Sequence, residues 1–213
     1  RKDQPRAPIT AKLVANLVTV AGADRVLTMD LHSAQIQGFF DIPLDHLYSG
    51  PVLIEHFVAL NLPNLVVVAP DIGSVKMARA YAKRLGGELG LVDKRRPKPG
   101  SVAIMNLIGE VEGRNVVMFD DVVTTARTLC QAAEAIQKAG AKSVYAGVTH
   151  GVFGPGAFER IAKSPIKELV ITDTLSHEAT PLPANIVELS VAGLLGEAVQ
   201  RIHEERSLSS LFI

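Results

Sequence analysis

Seven short apolar runs rich in valine punctuate the chain, at residues 26–29, 65–69, 89–92, 116–119, 144–148, 169–171 and 186–189. They are continuous rather than alternating, the pattern of strands buried on both faces. Between them, apolar residues recur at helical spacing over 11–21, 75–85, 127–139, 157–163 and 192–204. Strand–helix alternation predicts an α/β fold, an open parallel sheet with helices on both sides. Residues 93–117, DKRRPKPGSVAIMNLIGEVEGRNVV, break the alternation, with no helical period and turns at 97–100 and 112–113. They predict a charged loop followed by a short antiparallel excursion. The last helix runs into the apolar tail SLSSLFI, which is expected to dock on another part of the protein.

Polar residues gather where the apolar runs end. Asp30 and His32 follow the first run, Asp71 the second, Asp93 and Lys94 the third, and Asp120 and Asp121 the fourth. Thr149 and His150 follow the fifth, and Thr172, Asp173 and Thr174 the sixth. Open parallel sheets bind ligands beyond the carboxyl ends of their strands. A core accounts for the runs, but not for polar groups at one end of so many.

Composition narrows the classes. The chain has 213 residues, 47% of them hydrophobic, enough for one full core and part of a second. Lys and Arg number 22 and Asp and Glu 22, so no basic excess favours nucleic acid. The longest apolar runs are too short and too interrupted to span a membrane. A single cysteine, Cys130, leaves no internal disulfide, so a reducing, cytoplasmic setting is expected. The chain opens on Arg1 with no secretory pattern, and sequence is expected to precede it.

The densest chemistry lies in NVVMFDDVVTTARTL. A buried strand delivers Asp120 and Asp121, and a threonine-rich turn then opens directly into a helix. Free N–H groups and the positive dipole end at a helix start favour phosphate. Hydroxyls from Thr124, Thr125 and Thr128 add donors, and Arg127 adds a forked cation. Carboxylates accept from hydroxyls, so Asp120 and Asp121 suit the diol of a sugar whose phosphate lies in the loop. The plain alternative is an ordinary helix cap beside two surface acids. Elsewhere, Lys94, Arg95, Arg96 and Lys98 form a cationic cluster with Pro97, Pro99 and Gly100. Such a cluster is often only a solvated loop.

The 120–128 run resembles the ribose-phosphate loop shared by phosphoribosyltransferases and the ribose-phosphate pyrophosphokinase (phosphoribosyl pyrophosphate synthetase) family. PRAPITAKLVANLVTVAGADRVLTMDLHSAQIQGFFDIPLDHLYSGPVL, VVVAPDIGSVKMARAYAKRL, VDKRRPKP, NLIGEVEGRNVV, VTHGVF and AVQRIHEERSLSSLF resemble the second family. The likeness covers essentially the whole chain and implies that about the first third of a synthetase is absent. It further implies phosphoribosyltransferase-like (type I) domains: 1–48 the remainder of an N-terminal one, 49–190 a C-terminal one, and 191–213 a helix and tail packing back on the N-terminal part.

The family moves the β,γ-diphosphoryl group of ATP, with Mg²⁺, to the 1-hydroxyl of ribose 5-phosphate, giving phosphoribosyl pyrophosphate and AMP. By resemblance, Lys94 and Arg96 take the positions of the catalytic lysine and arginine on a closing loop, Arg96 also reaching the ribose phosphate. His32 and Asp71 match metal-associated positions; hard Mg²⁺ prefers oxygen, making Asp71 the direct ligand and leaving His32 to act through water or the nucleotide phosphates. Asp120, Asp121, Thr124, Thr125, Ala126, Arg127 and Thr128 match the ribose 5-phosphate site. Arg1 and Lys2, with Asp3, match either the end of the ATP-binding Arg-Gln-Asp motif or the linker after it. Gln37 and Asp45 match positions linked to regulation by phosphate and ADP. A homo-oligomer, dimer-based or hexameric, is implied because a neighbouring subunit contributes to the adenine pocket. His46, His56, His177 and His203 read as structural, and His150 has no assigned role.

The loop departs from the family's DDMIDTAGT or DDMIDTGGT: Thr124 stands for an acid and Arg127 for a glycine. The departures lean toward transferases reading DDVLTTGRT, although Ala126 stands where they carry glycine. Losing a carboxylate and gaining a cation is expected to keep or tighten phosphate binding, while changing the sugar's orientation and lowering turnover. A positive φ at Ala126 or Arg127 is costly without glycine. Two other functions compete with the synthetase reading: a phosphoribosyltransferase consuming phosphoribosyl pyrophosphate, and a non-catalytic regulatory subunit of a synthetase assembly.

Overall fold

A computed structural model describes residues 8–95 and 104–212. Its main sheet has seven strands: β3 (Leu65–Ala69), β4 (Glu88–Arg95), β5 (Ile104–Ile108), β6 (Asn115–Val123), β7 (Ser143–Gly151), β8 (Ile166–Thr172) and β9 (Ile186–Leu189). The order is β5-β4-β3-β6-β7-β8-β9, parallel throughout except for the antiparallel β4–β5 pair. A smaller parallel pair joins β1 (Val26–Met29) to β2 (Leu44–Leu47). The α/β sheet and its antiparallel excursion are thus as the apolar pattern predicts.

Successive strand residues point to opposite faces, and the two cores divide accordingly. Val66, Val68, Val116, Met118, Val144 and Ala146 pack with α4 (Arg127–Lys138) and α5 (Ala157–Lys163) through Leu129, Ala133, Ile136 and Ile161. Val67, Ala69, Val117, Phe119 and Tyr145 pack with α2 (Gly50–Ala59) and α3 (Val75–Leu85) through Leu53, Phe57, Ala78 and Tyr81. Gly147 is required between them: a Cβ there would lie 2.8 Å from the Phe119 ring and 2.9 Å from Phe57. A third cluster joins Met29 and Leu47 of β1 and β2 to Val191, Ala198 and Leu208, the last two on and after α6 (Ala192–His203). Helix α1 (Thr10–Val20) lies beside the 3-10 turn Ala34–Phe39.

Several elements differ from expectation. β2 and α2 carry no clear period: LDHL is short and half polar, and GPVLIEHFVA is apolar nearly all round. β4 runs on through Asp93 and Lys94 to Arg95, where the sequence predicts a charged loop, because β5 supplies pairing partners as far as Lys94↔Met105 and Arg95↔Ile104. β6 likewise continues to Val123, since β7 pairs with it up to Val123↔Gly151. Asp120 and Asp121 therefore lie on a strand rather than after one.

The order places a topological switch between β3 and β6. From β3 the chain leaves through α3 toward β4; from β6 it leaves through α4, on the other face, toward β7. Diverging connections open a crevice at the carboxyl ends of such a strand pair. Among the described residues, no helix is long and apolar enough to cross a membrane.

Candidate active site

The crevice holds a cleft of about 780 Å³ lined by Asp30, His32, Asp71, Asp120 and Asp121, and extending past Tyr48, Ile54, Lys76, Met77, Tyr81 and Arg84. Four residues singled out from the sequence, His32, Asp71, Asp120 and Asp121, thus meet in one place although they come from three separate segments. The Nδ1 of His32 lies 2.7 Å from Asp121 Oδ2. That imidazole is 64% exposed while the carboxylate is 14% exposed, so the ring faces the cleft from above a nearly buried acid.

Asp71 closes the turn into α3. Its Oδ1 accepts from Ser74 N at 3.0 Å and from Ser74 Oγ at 3.2 Å. One carboxylate oxygen therefore holds the turn, which fixes where the other stands. Asp120 Oδ1 accepts from Asp121 N at 3.0 Å. Burial, then the charges of Asp121 and Asp71, push the Asp120 carboxyl up to about 7. Three acids crowding one desolvated edge call for a cation or for hydroxyl donors.

Magnesium suits this donor set. Among the described residues no group of three or more His, Cys, Asp and Glu side chains could cage a metal on its own. Mg²⁺ usually keeps several waters and takes one or two carboxylates plus substrate phosphates. One or two carboxylates of this edge, Asp71 first among them, with waters and substrate phosphates match that habit.

Beyond Val123 the chain turns through Thr124 and Thr125, both exposed, into α4. Ala126 caps the helix with φ 58° and ψ 5°, the left-handed region, and is nearly fully buried. The positive φ that glycine would take without strain thus falls on alanine, at a cost of about 1–2 kcal/mol. Replacing Ala126 with Gly is expected to raise unfolding stability by up to about 1 kcal/mol, part of the relief being offset by chain entropy and the lost methyl contact. Urea unfolding checks this, and a clear loss of stability would mean that the buried methyl outweighs the strain. Arg127 is exposed and makes no ion pair with a described residue.

Other positions fall elsewhere. Gln37 donates to Ala34 O at 3.0 Å and lies 3.2 Å from His46 Nδ1. Asp45 accepts from Arg25 Nε at 2.6 Å. Neither lines the cleft. Lys94 stands near the carboxyl end of β4, while Arg96, Arg1 and Lys2 lie outside the described residues.

Asp30 has a place in the cleft that strand-end chemistry only hinted at. It is 8% exposed with φ 41°, and its Oδ2 accepts from Ser49 N at 2.9 Å and Thr149 Oγ1 at 2.8 Å. His150 Nε2 donates to the carbonyls of Met29 and Asp30, at 3.1 and 3.2 Å. Together these bonds latch β1 to β7 and set His32 over Asp121. Lys76, on the first turn of α3, adds a cation to the cleft. It had no signal beyond helical periodicity.

Residues 92–213 match the family described as the phosphoribosyl synthetase-associated domain. The chain is 53% identical over 215 residues to a ribose-phosphate pyrophosphokinase of Rhodopirellula baltica, covering all of this chain and 68% of that protein. It is 55% identical over 214 residues to one of Rhizobium meliloti, covering 69% of it. A crystal structure of phosphoribosylpyrophosphate synthetase from Mycobacterium smegmatis superposes with a TM-score of 0.88 at 35% identity, over 96% of this chain and 67% of that one. The chain spans about two thirds of the length of these relatives and belongs to the ribose-phosphate pyrophosphokinase family.

Proposed function

We propose that the protein transfers the β,γ-diphosphoryl group of ATP to the 1-hydroxyl of ribose 5-phosphate, forming phosphoribosyl pyrophosphate and AMP. The observation that carries this is the meeting of Asp71, Asp120, Asp121 and His32 at the β3–β6 switch point, one short turn from a phosphate-type helix start. In this reading Asp120 and Asp121 accept from the ribose hydroxyls, and His32 orients Asp121 and faces the nucleotide phosphates. The amides and hydroxyls of Thr124, Thr125, Ala126 and Thr128 hold the 5-phosphate, and Arg127 swings onto it. The anomeric hydroxyl oxygen attacks the β-phosphorus while its proton passes to water, the bond from that phosphorus to the oxygen it shares with the α-phosphorus breaks, and AMP leaves. Lys94 and Arg96 meet the charge that spreads over the transferring group. Asp71, with His32 acting through water or the nucleotide phosphates, would hold hydrated Mg²⁺, which neutralises phosphate charge when bound. No side chain is needed as a strong base, so positioning and charge supply most of the rate.

Arg1 and Lys2 belong to the ATP side of the site in this reading, and Gln37 and Asp45 to regulation on the β1–β2 unit. A cytoplasmic homo-oligomer, built from dimers, completes the adenine pocket. The family likeness supports that setting. Incubating the full-length protein with ATP, Mg²⁺ and ribose 5-phosphate should yield AMP and phosphoribosyl pyrophosphate in equal amounts. Ribose 5-phosphate binding without AMP would instead make it a regulatory subunit, a role for which the exchanges at Thr124 and Arg127 leave room and against which the retention of Lys94 and Arg96 argues. Base-dependent pyrophosphate release would make it a transferase.

A further inference from the structure

The carbonyls of the turn into α4 are all engaged. Val123 O accepts from Val152 N and Phe153 N at 2.9 and 3.2 Å, and Thr124 O from Gly154 N at 2.9 Å. Thr125 O accepts from Arg160 Nη1 at 2.5 Å, and Ala126 O from Cys130 N at 2.9 Å. A trans peptide places each C=O and the N–H that follows it on opposite sides of the bond. The N–H groups of Thr124, Thr125, Ala126 and Arg127 are therefore turned away from these partners. Among the described residues, no hydrogen bond uses any of the four. They form a row of amide donors at a helix start, the arrangement that receives an anion.

The peptide planes either side of 125–126 are held by main-chain amides alone. The Thr125–Ala126 plane is held by a side chain, Arg160 of α5. The guanidinium reaches it by folding back over Gly156, whose φ is 72° and where a Cβ would lie 2.9 Å from Nη2. No described carboxylate pairs with Arg160. Its charge is left to act across the turn.

We propose that Arg160 is a positioning residue for phosphate-monoester recognition, fixing the Thr125–Ala126 peptide so that the Ala126 N–H completes the donor row. Its charge adds attraction without touching the ligand. This rests on the reading that the turn takes the 5-phosphate of ribose 5-phosphate. An ordinary structural bond would affect stability; a bond that aims one donor affects affinity for the phosphate.

The test uses full-length protein with Arg160→Met, Arg160→Lys, and Lys163→Ala as an exposed control on the same helix. Calorimetry gives the ribose 5-phosphate Kd, steady-state assays separate KM from kcat, and thermal melts report folding. Arg160→Met should raise Kd and KM about tenfold with kcat changed less than about twofold. Arg160→Lys, which keeps a charged donor, should recover most of the affinity, and Lys163→Ala should match wild type. Where Arg160→Met does not fold, Arg160→Gln decides by the same rise in Kd. A wild-type Kd in a folded Arg160→Met or Arg160→Gln variant overturns the proposal alone. A wild-type protein that binds no ribose 5-phosphate overturns the site assignment with it.

Discussion

Asp121→Ala is expected to lower kcat/KM for ribose 5-phosphate about a thousandfold, with a thermal midpoint close to wild type. The carboxylate is nearly buried and makes a 2.7 Å contact with the exposed imidazole of His32. It has oxygen capacity left for a sugar diol. Hydrogen bonds to a charged acceptor are worth about 1.5–3 kcal/mol each, so losing two removes about 4 kcal/mol, or about three powers of ten. His32 also loses the partner that orients it, which adds to the loss without adding a second site. Steady-state kinetics with ribose 5-phosphate varied at saturating ATP would measure the effect. A variant within about tenfold of wild type would remove Asp121 from substrate contact.

Lys94→Ala should act on a different parameter. Lys94 lies near the carboxyl end of β4, paired with Met105 on β5, and β4 is the neighbour of the strand that delivers Asp71. A cation serving only the transferring diphosphoryl group contributes in the transition state and little in the ground state. Removing one such group typically costs about 10²–10³ in kcat. The expected result is that loss in kcat, with the KM for ribose 5-phosphate changed by less than about threefold. A large rise in that KM at normal kcat would make Lys94 a substrate anchor instead. Because Asp121 and Lys94 are proposed to meet different parts of the reacting pair, the two variants separate sugar binding from group transfer.

In the turn from β6 into α4, residue chemistry and backbone conformation are legible in the sequence to different depths. The threonines, Arg127 and the helix that follows point toward a phosphate-type turn from residue types alone. A left-handed φ at either Ala126 or Arg127 follows from the turn's shape, but which of the two takes it does not. The choice falls on Ala126 because its carbonyl must start α4 by accepting from Cys130 N, while Arg127 is already helical. Arg160 was invisible in the sequence as part of this turn. Its relevance arises only when α5 packs beside α4 and brings a guanidinium to Thr125.

The sequence by itself determined the α/β class, the parallel strands, the antiparallel excursion and the kind of chemistry at the strand ends. These are local: a run of valines buries both faces of a strand, and a helix start exposes amides, whatever lies elsewhere. Only the tertiary structure decided that burial, with Asp121 and Asp71 nearby, raises the Asp120 carboxyl, that His32 reaches Asp121, and that β2 and α2 exist. Strand order and register bring residues far apart in sequence to one edge, and no local period encodes them. The continuation of β4 and β6 past their apolar cores has the same origin. Partner strands β5 and β7 supply hydrogen bonds to residues whose side chains alone would have ended the strand.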